Sequence, residues 1–187
     1  MRFLFTVVCC IVLMPCAVCN ASVPLEFYRQ YPAGQDSTGI IAADVDGDGY
    51  LDLIVSNRGT SDVSILINNG IGLFPTTTHY PTGEVPRYVD GADFDGDGDF
   101  DLCTPDYIGM TTTVLENDGN GVFSILAQYP MRTPAFLWVD DIDSDGHQDI
   151  LVLHWDENAD QPAWSPSLFL PLLNNGDGLL PLDQPHG

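Results

Sequence analysis

Three short segments of the sequence carry aspartates on alternate residues, an arrangement suited to binding a hard cation. The segments begin at Asp44, Asp93 and Asp141, and in each of them carboxylates occupy positions 1, 3, 5 and 9. Glycine at position 6 permits a sharp bend, and position 7 offers a backbone carbonyl. Oxygen donors on alternate residues of a tight loop converge on one point, and six or seven oxygens suit the flexible shell of Ca²⁺. The spacing therefore predicts three calcium loops.

Other interpretations of these loops fit the residues less well. Magnesium demands near-octahedral geometry and keeps several waters. Softer metals need cysteine or imidazole ligands, and the only histidine in the loops is His147, at the backbone-donor position 7. An EF-hand needs a bidentate glutamate at position 12, where this sequence has Val55, Thr104 and Val152. An acidic turn without an ion would leave four carboxylates repelling one another within nine residues, and it would do so three times.

The loops belong to a longer internal repeat. Their offsets are 49 and 48 residues, and turns of the Asn-Asn-Gly type follow them at Asn68, Asn117 and Asn174, with offsets of 49 and 57 residues. Two motifs that keep step over three copies indicate three repeated units. The offset of 57 rather than 48 shows that the third unit has nine extra residues between its two motifs.

Short apolar runs on both sides of each acidic loop predict strands. Residues 40–43 precede the first loop and residues 53–55 follow it, while residues 63–67 alternate up to the Asn-Gly turn. Each unit is therefore predicted to be a four-stranded antiparallel meander. Continuous apolar runs indicate strands that are covered on both faces, as in stacked propeller blades. The predicted fold class is all-β, with three four-stranded blades that form a partial or open β-propeller.

The composition limits the classes of partner. The chain has 27 acidic side chains against 5 basic ones, and its formal net charge is −22. A polyanion of this kind repels nucleic acid and anionic lipid surfaces. Hydrophobic residues make up 44% of the chain, which is enough for a packed core and excludes an acidic disordered polymer.

The first 21 residues are predicted to be a signal peptide. Arg2 is followed by an apolar stretch over residues 3–18 and by small residues suited to cleavage. The protein is therefore expected to be secreted or displayed at the cell surface, without membrane insertion after cleavage. An uncleaved anchor and a lipoprotein site at Cys16 are the alternatives. Cleavage leaves Cys103 as the one remaining cysteine, which excludes an intrachain disulfide and indicates a small buried residue.

The sequence resembles the FG-GAP or VCBS repeat family, whose calcium-binding blades also occur in integrin α-chain propellers. The motifs that carry the resemblance are AADVDGDGYLDLIV, GADFDGDGDFDLCT and VDDIDSDGHQDILV, each followed by its NNG-type turn. The resemblance places a repeat domain at residues 23–187, with units at about 35–83, 84–131 and 132–182. It also implies about three calcium ions. Ser144, where the other two loops have glycine, departs from the pattern and is expected to weaken the third site.

The resemblance assigns the calcium ligands position by position. The first loop would use Asp44, Asp46, Asp48, Asp52 and the carbonyl of Tyr50. The second loop would use Asp93, Asp95, Asp97, Asp101 and the carbonyl of Asp99. The third loop would use Asp141, Asp143, Asp145, Asp149 and the carbonyl of His147.

The number of units is small for this fold. Propellers close with four to eight blades, whereas this sequence supplies three units, with a spare strand predicted at residues 25–31 and an outer strand missing after the third unit. We expect an open arc, a partial gene product, or self-association that completes the propeller.

The resemblance implies a non-enzymatic scaffold, related to adhesion modules, that binds a protein or glycan partner through loops. The alternative is a calcium-assisted carbohydrate-active or lyase-like enzyme, because related propellers host such chemistry. No nucleophile elbow or phosphate loop occurs in the sequence. The extra residues of the third unit, around Trp155 and Trp164, are expected to cover the core, with sugar stacking as the other possibility.

Overall fold

The chain forms three antiparallel β-sheets. The computed structural model describes residues 29–154 and 168–176. Sheet 1 has four strands: β1 (Ser37–Ala43), β2 (Asp52–Asn57), β3 (Asp62–Ile67) and β4 (Thr76–Pro81). Sheet 2 also has four: β5 (Asp90–Ala92), β6 (Asp101–Asp106), β7 (Thr111–Asn117) and β8 (Phe123–Pro130). Sheet 3 has three: β9 (Pro134–Asp140), β10 (Asp149–His154) and β11 (Leu168–Leu172).

The all-β prediction is confirmed, and the first two sheets are the four-stranded meanders that the apolar runs predict. In each sheet the strands pair in the order of the chain. Within the described ranges there is no helix, and so none that is long and apolar enough to span a membrane. The predicted signal peptide, the tryptophan-containing extra residues of the third unit and most of the spare strand predicted at residues 25–31 lie outside the described residues, and residues 29–31 form no strand.

The acidic loops and the Asn-Gly turns lie at the same edge of their sheets. Each loop joins the first strand of a sheet to the second, and each turn follows the third strand. Ala43 pairs with Asp52 at the start of the first loop, and Ile67 pairs with Thr76 at the turn. Since neighbouring strands run antiparallel, the first and third connections of a meander come to the same edge. This topology brings both repeated motifs together.

Sheet 2 is covered on both faces by its neighbours. Leu102 and Leu115 pack toward sheet 1, while Cys103 and Val114, their neighbours in the strands, pack toward sheet 3. The core between sheets 1 and 2 contains Ala43, Val45, Ile54, Val63, Ile65, Val89, Leu102, Leu115 and Phe123. The core between sheets 2 and 3 contains Phe94, Cys103, Val114, Tyr129, Met131, Leu137, Ile150, Val152 and Leu172. Each fully buried aliphatic side chain stabilises the fold by about 1.5–3 kcal/mol.

At the opposite edge of sheet 2, the carboxylate of Asp106 is fully buried at the end of β6. The hydroxyls of Thr104, Thr111 and Thr113 all donate to its two oxygens. Burial raises the pKa of Asp106 to about 6, although these hydrogen bonds and one from the backbone of Gly83 act in the other direction. The equivalent residue of sheet 1 is the neutral Asn57, whose side chain donates to Asp62 and Ser64.

Candidate metal centre

Three groups of aspartates, one in each acidic loop, hold carboxylate oxygens within 4.8 Å of one another. Every group contains the aspartates at positions 1 and 3 of its loop. The third member is the position-5 aspartate in the first loop and the position-9 aspartate in the other two. The groups are Asp44, Asp46 and Asp48; Asp93, Asp95 and Asp101; and Asp141, Asp143 and Asp149. Each of the three groups can hold a metal ion.

The position-1 aspartate is oriented by the backbone of its own loop. Gly47 and Gly49 donate N–H groups to Oδ1 and Oδ2 of Asp44, both at 2.9 Å. Gly96 and Gly98 do the same for Asp93, at 2.7 and 3.0 Å. These glycines have φ between +72° and +98°, the left-handed region that glycine enters without strain. The loop sequence thus fixes the direction of its first carboxylate.

The position-9 aspartates connect each loop to the Asn-Gly turn beside it. Asp101, 1% exposed, accepts N–H groups from Phe94 at 3.0 Å and from Asn117 at 2.9 Å. Asp52 and Asp149, both 0% exposed, accept the equivalent pairs of N–H groups. Each of these carboxylates therefore has a structural role in addition to any metal that it binds.

The remaining predicted ligands fall into two sets. Three carboxylates lie outside the three groups: Asp52, Asp97 and Asp145. The position-7 residues, whose carbonyls are predicted ligands, are Tyr50, Asp99 and His147. Their side chains lie so close to the turn glycines Gly70, Gly119 and Gly176 that a Cβ added to any of the three would come within 2.4–2.7 Å of them. The role of the carbonyls stays a prediction.

The third loop differs from the other two at Ser144. This residue has φ of 65°, close to the 72° and 81° of Gly47 and Gly96 at the same position. In the first two loops the position-4 N–H donates to the position-1 carboxylate, whereas in the third Asp141 Oδ1 accepts from Asp145 at 3.1 Å. A serine in the left-handed region is strained, which explains why the loop adjusts at the residue that the sequence singles out.

The loops concentrate negative charge without an internal counter-charge. Within the described residues none of the loop aspartates forms an ion pair. The pKa of Asp101 is raised to about 6, mainly by burial and to a smaller extent by the charges of Asp95 and Asp97, against the lowering effect of its two backbone hydrogen bonds. Burial also raises the pKa of Asp52. The pKa of the exposed Asp143 is raised by partial loss of solvent contact and by the charge of Asp145. A bound cation would reverse these shifts, because it favours the ionised carboxylates.

In sheets 2 and 3 the first asparagine of the turn also joins neighbouring sheets, a role that the sequence does not reveal. Asn117 Nδ2 in sheet 2 donates to the carbonyl of Val45 in the first loop at 2.9 Å. Asn174 Nδ2 in sheet 3 donates to the carbonyl of Phe94 in the second loop at 2.6 Å. A cleft of about 430 Å³ lies beside the first of these bonds, between loops 1 and 2. The recurrence of asparagine in register with the loops is the only sequence signal of this link.

A known family matches the part of the chain that contains the first two acidic loops. Residues 44–104 match the family model described as the FG-GAP-like repeat. This segment is similar to FG-GAP-like repeats. It includes the first two acidic loops and the turn between them, so the resemblance inferred from the motifs is confirmed over this range. The third loop lies beyond the matched FG-GAP-like segment but repeats its hydrogen bonds at position 9. No curated protein matches the chain.

One cluster has the residue types of a hydrolase triad without its geometry. Ser64 Oγ lies 3.1 Å from His79 Nδ1, and Asp62 Oδ1 lies 3.6 Å from the same nitrogen. In a catalytic triad the serine and the aspartate bind opposite nitrogens of the imidazole. Ser64 is also 0% exposed and accepts hydrogen bonds from Asn57 and from the backbone of Gly34. This arrangement positions strands rather than a nucleophile.

Proposed function

We propose that the protein is an exported calcium-binding module of the β-propeller type that acts as a structural or interaction scaffold. The observation that carries the proposal is the threefold recurrence of one aspartate group at the same edge of three successive sheets. The face-to-face packing of sheets 1 and 2 and of sheets 2 and 3 supports the propeller-type arrangement. The FG-GAP-like match over residues 44–104 supports a repeat module.

The donor set favours calcium. Each group offers only carboxylate oxygens, which suit a hard cation, and six to eight oxygens at flexible distances suit Ca²⁺ better than Mg²⁺. The position-7 carbonyl and water would complete the shell. Extracellular calcium sites typically have dissociation constants of about 10⁻⁴ to 10⁻³ M, a range that agrees with the export predicted from the N-terminal segment.

A cation in these loops would act as a clamp. Positions 1 and 3 lie after the first strand of each sheet, while position 9 opens the second strand and accepts an N–H group from the turn. Binding would therefore fix three chain segments at one edge. Each ion would stabilise the folded chain by about 2.7 kcal/mol at a hundredfold excess over its dissociation constant. The face held in this way would present loops to a protein or glycan partner.

Calcium titration by isothermal calorimetry tests the proposal. We expect three ions per chain, and we expect Asp44→Asn to lower the stoichiometry to two because it removes a ligand of the first loop. Glu84→Gln is the matched control, since it removes the same charge from an exposed side chain outside the loops. A calcium stoichiometry of zero, or equal stoichiometry for both variants, would contradict the assignment of the ligands.

A further inference from the structure

The contacts between neighbouring sheets repeat within the chain. At each of the two interfaces, a turn asparagine of the later sheet donates to the position-2 carbonyl of the earlier sheet's loop. The position-2 side chain is buried beneath this bond: Val45 is 1% exposed and Phe94 is 2% exposed. Both interfaces therefore use the same contacts, with the donor always in the later sheet and the acceptor always in the earlier one.

The outward face of sheet 3 carries one half of this interface. Ile142, the position-2 residue of the third loop, is 43% exposed. Phe169, equivalent to the fully buried Val63 and Thr112, is 63% exposed, and Trp138 is 59% exposed on the same face. These residues occupy the positions with which sheets 1 and 2 contact the sheet that follows them.

The outward face of sheet 1 carries the other half. Ile40 is 59% exposed, whereas its equivalents Val89 and Leu137 are fully buried against the preceding sheet. Leu51, also 59% exposed, is equivalent to Phe100, which packs into the core between sheets 1 and 2. The open part of this face is formed by its first strand and acidic loop, because Val55 and Leu66 on the same face are buried.

The donor and the acceptor of the inter-sheet hydrogen bond are also divided between the two outward faces. Asn68 of sheet 1 donates to the carbonyl of Leu51 in its own loop at 2.9 Å, as Asn117 does to Phe100 at 3.2 Å. Unlike Asn117, it has no preceding loop within the described residues to which it can donate. The two outward faces are thus complementary halves of an interface that the chain already uses twice.

We propose that a second copy of this chain fills both faces, with sheet 3 of each copy packed against sheet 1 of the other. This inference rests on the propeller-type stacking proposed above. Counting only the sheets of the described residues, two copies supply six, within the four to eight with which propellers close, while three copies would supply nine. Head-to-tail contacts of this kind form a closed ring when the rotation between copies closes. In the ring, Asn68 of one copy donates to the carbonyl of Ile142 of the other.

The test measures the molar mass in solution of the protein that the expression host secretes. Light scattering after size exclusion, with millimolar calcium present, is expected to give about twice the mass of one chain. A single-chain mass would overturn the proposal, and so would a mass that keeps rising with concentration, because that result indicates an open filament. A single chain that still binds three calcium ions would overturn the ring while leaving the calcium module intact.

Variants at each face show whether the contact is head-to-tail. Ile40→Glu and Trp138→Glu are each expected to halve the mass, because every interface in the ring uses both faces. Mixing the two variants restores one intact interface and is expected to double the mass again, which also shows that both variants fold. Ile108→Glu, which replaces a residue 50% exposed at the opposite edge of sheet 2, is the matched control and should keep the mass of the wild type. If only one of the two face variants dissociates, the interface joins identical faces and the proposal is wrong.

Discussion

The two edges of sheet 2 both bury aspartates but satisfy them in different ways. At the edge opposite the loops, Asp106 accepts hydrogen bonds from three threonine hydroxyls and has no like charge among its partners. At the loop edge, Asp101 accepts two backbone N–H groups and shares its space with Asp93 and Asp95. The first arrangement is complete within the protein, whereas the second gathers several carboxylates whose charge a bound cation would neutralise. Similar residues therefore have only a structural role at one edge, whereas at the other they combine a structural role with the metal binding that we propose.

Removing calcium tests the loop edge most strongly. If all three loops are filled at a hundredfold excess over the dissociation constant, chelation is expected to lower the free energy of unfolding by about 8 kcal/mol in total. The loss follows from linkage, because the ions bind the folded loops and not the unfolded chain. Urea denaturation with and without chelator measures the effect. An unchanged midpoint would show that the loop edge needs no cation.

The substitution Asp101→Ala separates the structural role of position 9 from its role as a ligand. It leaves the N–H groups of Phe94 and Asn117 without their acceptor. Each unpaired buried donor costs about 1–3 kcal/mol, so we expect a loss of about 4 kcal/mol even in chelator. Asp97→Ala is the control, since Asp97 is exposed and lies outside the aspartate group. Equal losses for the two variants in chelator would mean that Asp101 acts only through the metal.

The opposite edge is tested by Asp106→Asn, which places there the residue that sheet 1 has at this position. The folded-state pKa of about 6 lies above the ordinary value of 3.8, so the folded chain binds this proton more tightly than the unfolded chain does. Binding of this proton adds to the free energy of unfolding of the wild type. The addition is fully present below pH 4 and is lost as the pH rises through 6, a change of about 3 kcal/mol.

We therefore expect the stability of Asp106→Asn relative to the wild type to rise by up to about 3 kcal/mol between pH 4 and pH 7. Urea denaturation of both proteins in saturating calcium, at several pH values across this range, gives the difference directly. A difference that does not change with pH would show that Asp106 titrates normally.

The smallest expected effect distinguishes the third loop from the first two. Ser144→Gly places glycine at a residue with φ of 65° and is expected to stabilise the fold by up to about 1 kcal/mol, because it relieves a left-handed serine. The variant should also bind calcium more tightly at the third site. Thermal denaturation and calorimetry measure the two effects. Ser124→Gly, at an exposed serine in β8, should instead destabilise the fold.

The sequence was sufficient to predict the all-β class, the strand order of the first two sheets and the position of the aspartate groups. These features follow from local spacing: alternate aspartates, a glycine that bends the loop, and apolar runs of strand length. Positions 1 and 3 join the groups in every loop, but the third member differs between Asp48 and the position-9 residues. Spacing alone does not distinguish these two positions, because both carry aspartate in every loop.

Contacts between residues far apart in the chain could not be predicted from the sequence. Asn117 reaches a carbonyl 72 residues earlier, and Asn174 reaches one 80 residues earlier. In the sequence these residues are only turn formers, because an Asn-Gly pair predicts local geometry and not a distant partner. The threonine hydrogen bonds to Asp106 could not be predicted from the sequence either. They depend on strands β6 and β7 pairing in one register.

The asparagine link between sheets also governs how a chain of this kind can change its length. Each unit brings its own donor in the turn and its own acceptor in the acidic loop, so duplicating a whole unit supplies one new bond and leaves no existing group unpaired. A partial duplication that supplied the turn without the acidic loop, or the loop without the turn, would leave a donor or a carbonyl without its partner. Growth or loss during evolution is therefore expected in steps of one complete repeat, and the 49-residue spacing between the first two loops is the size of that step.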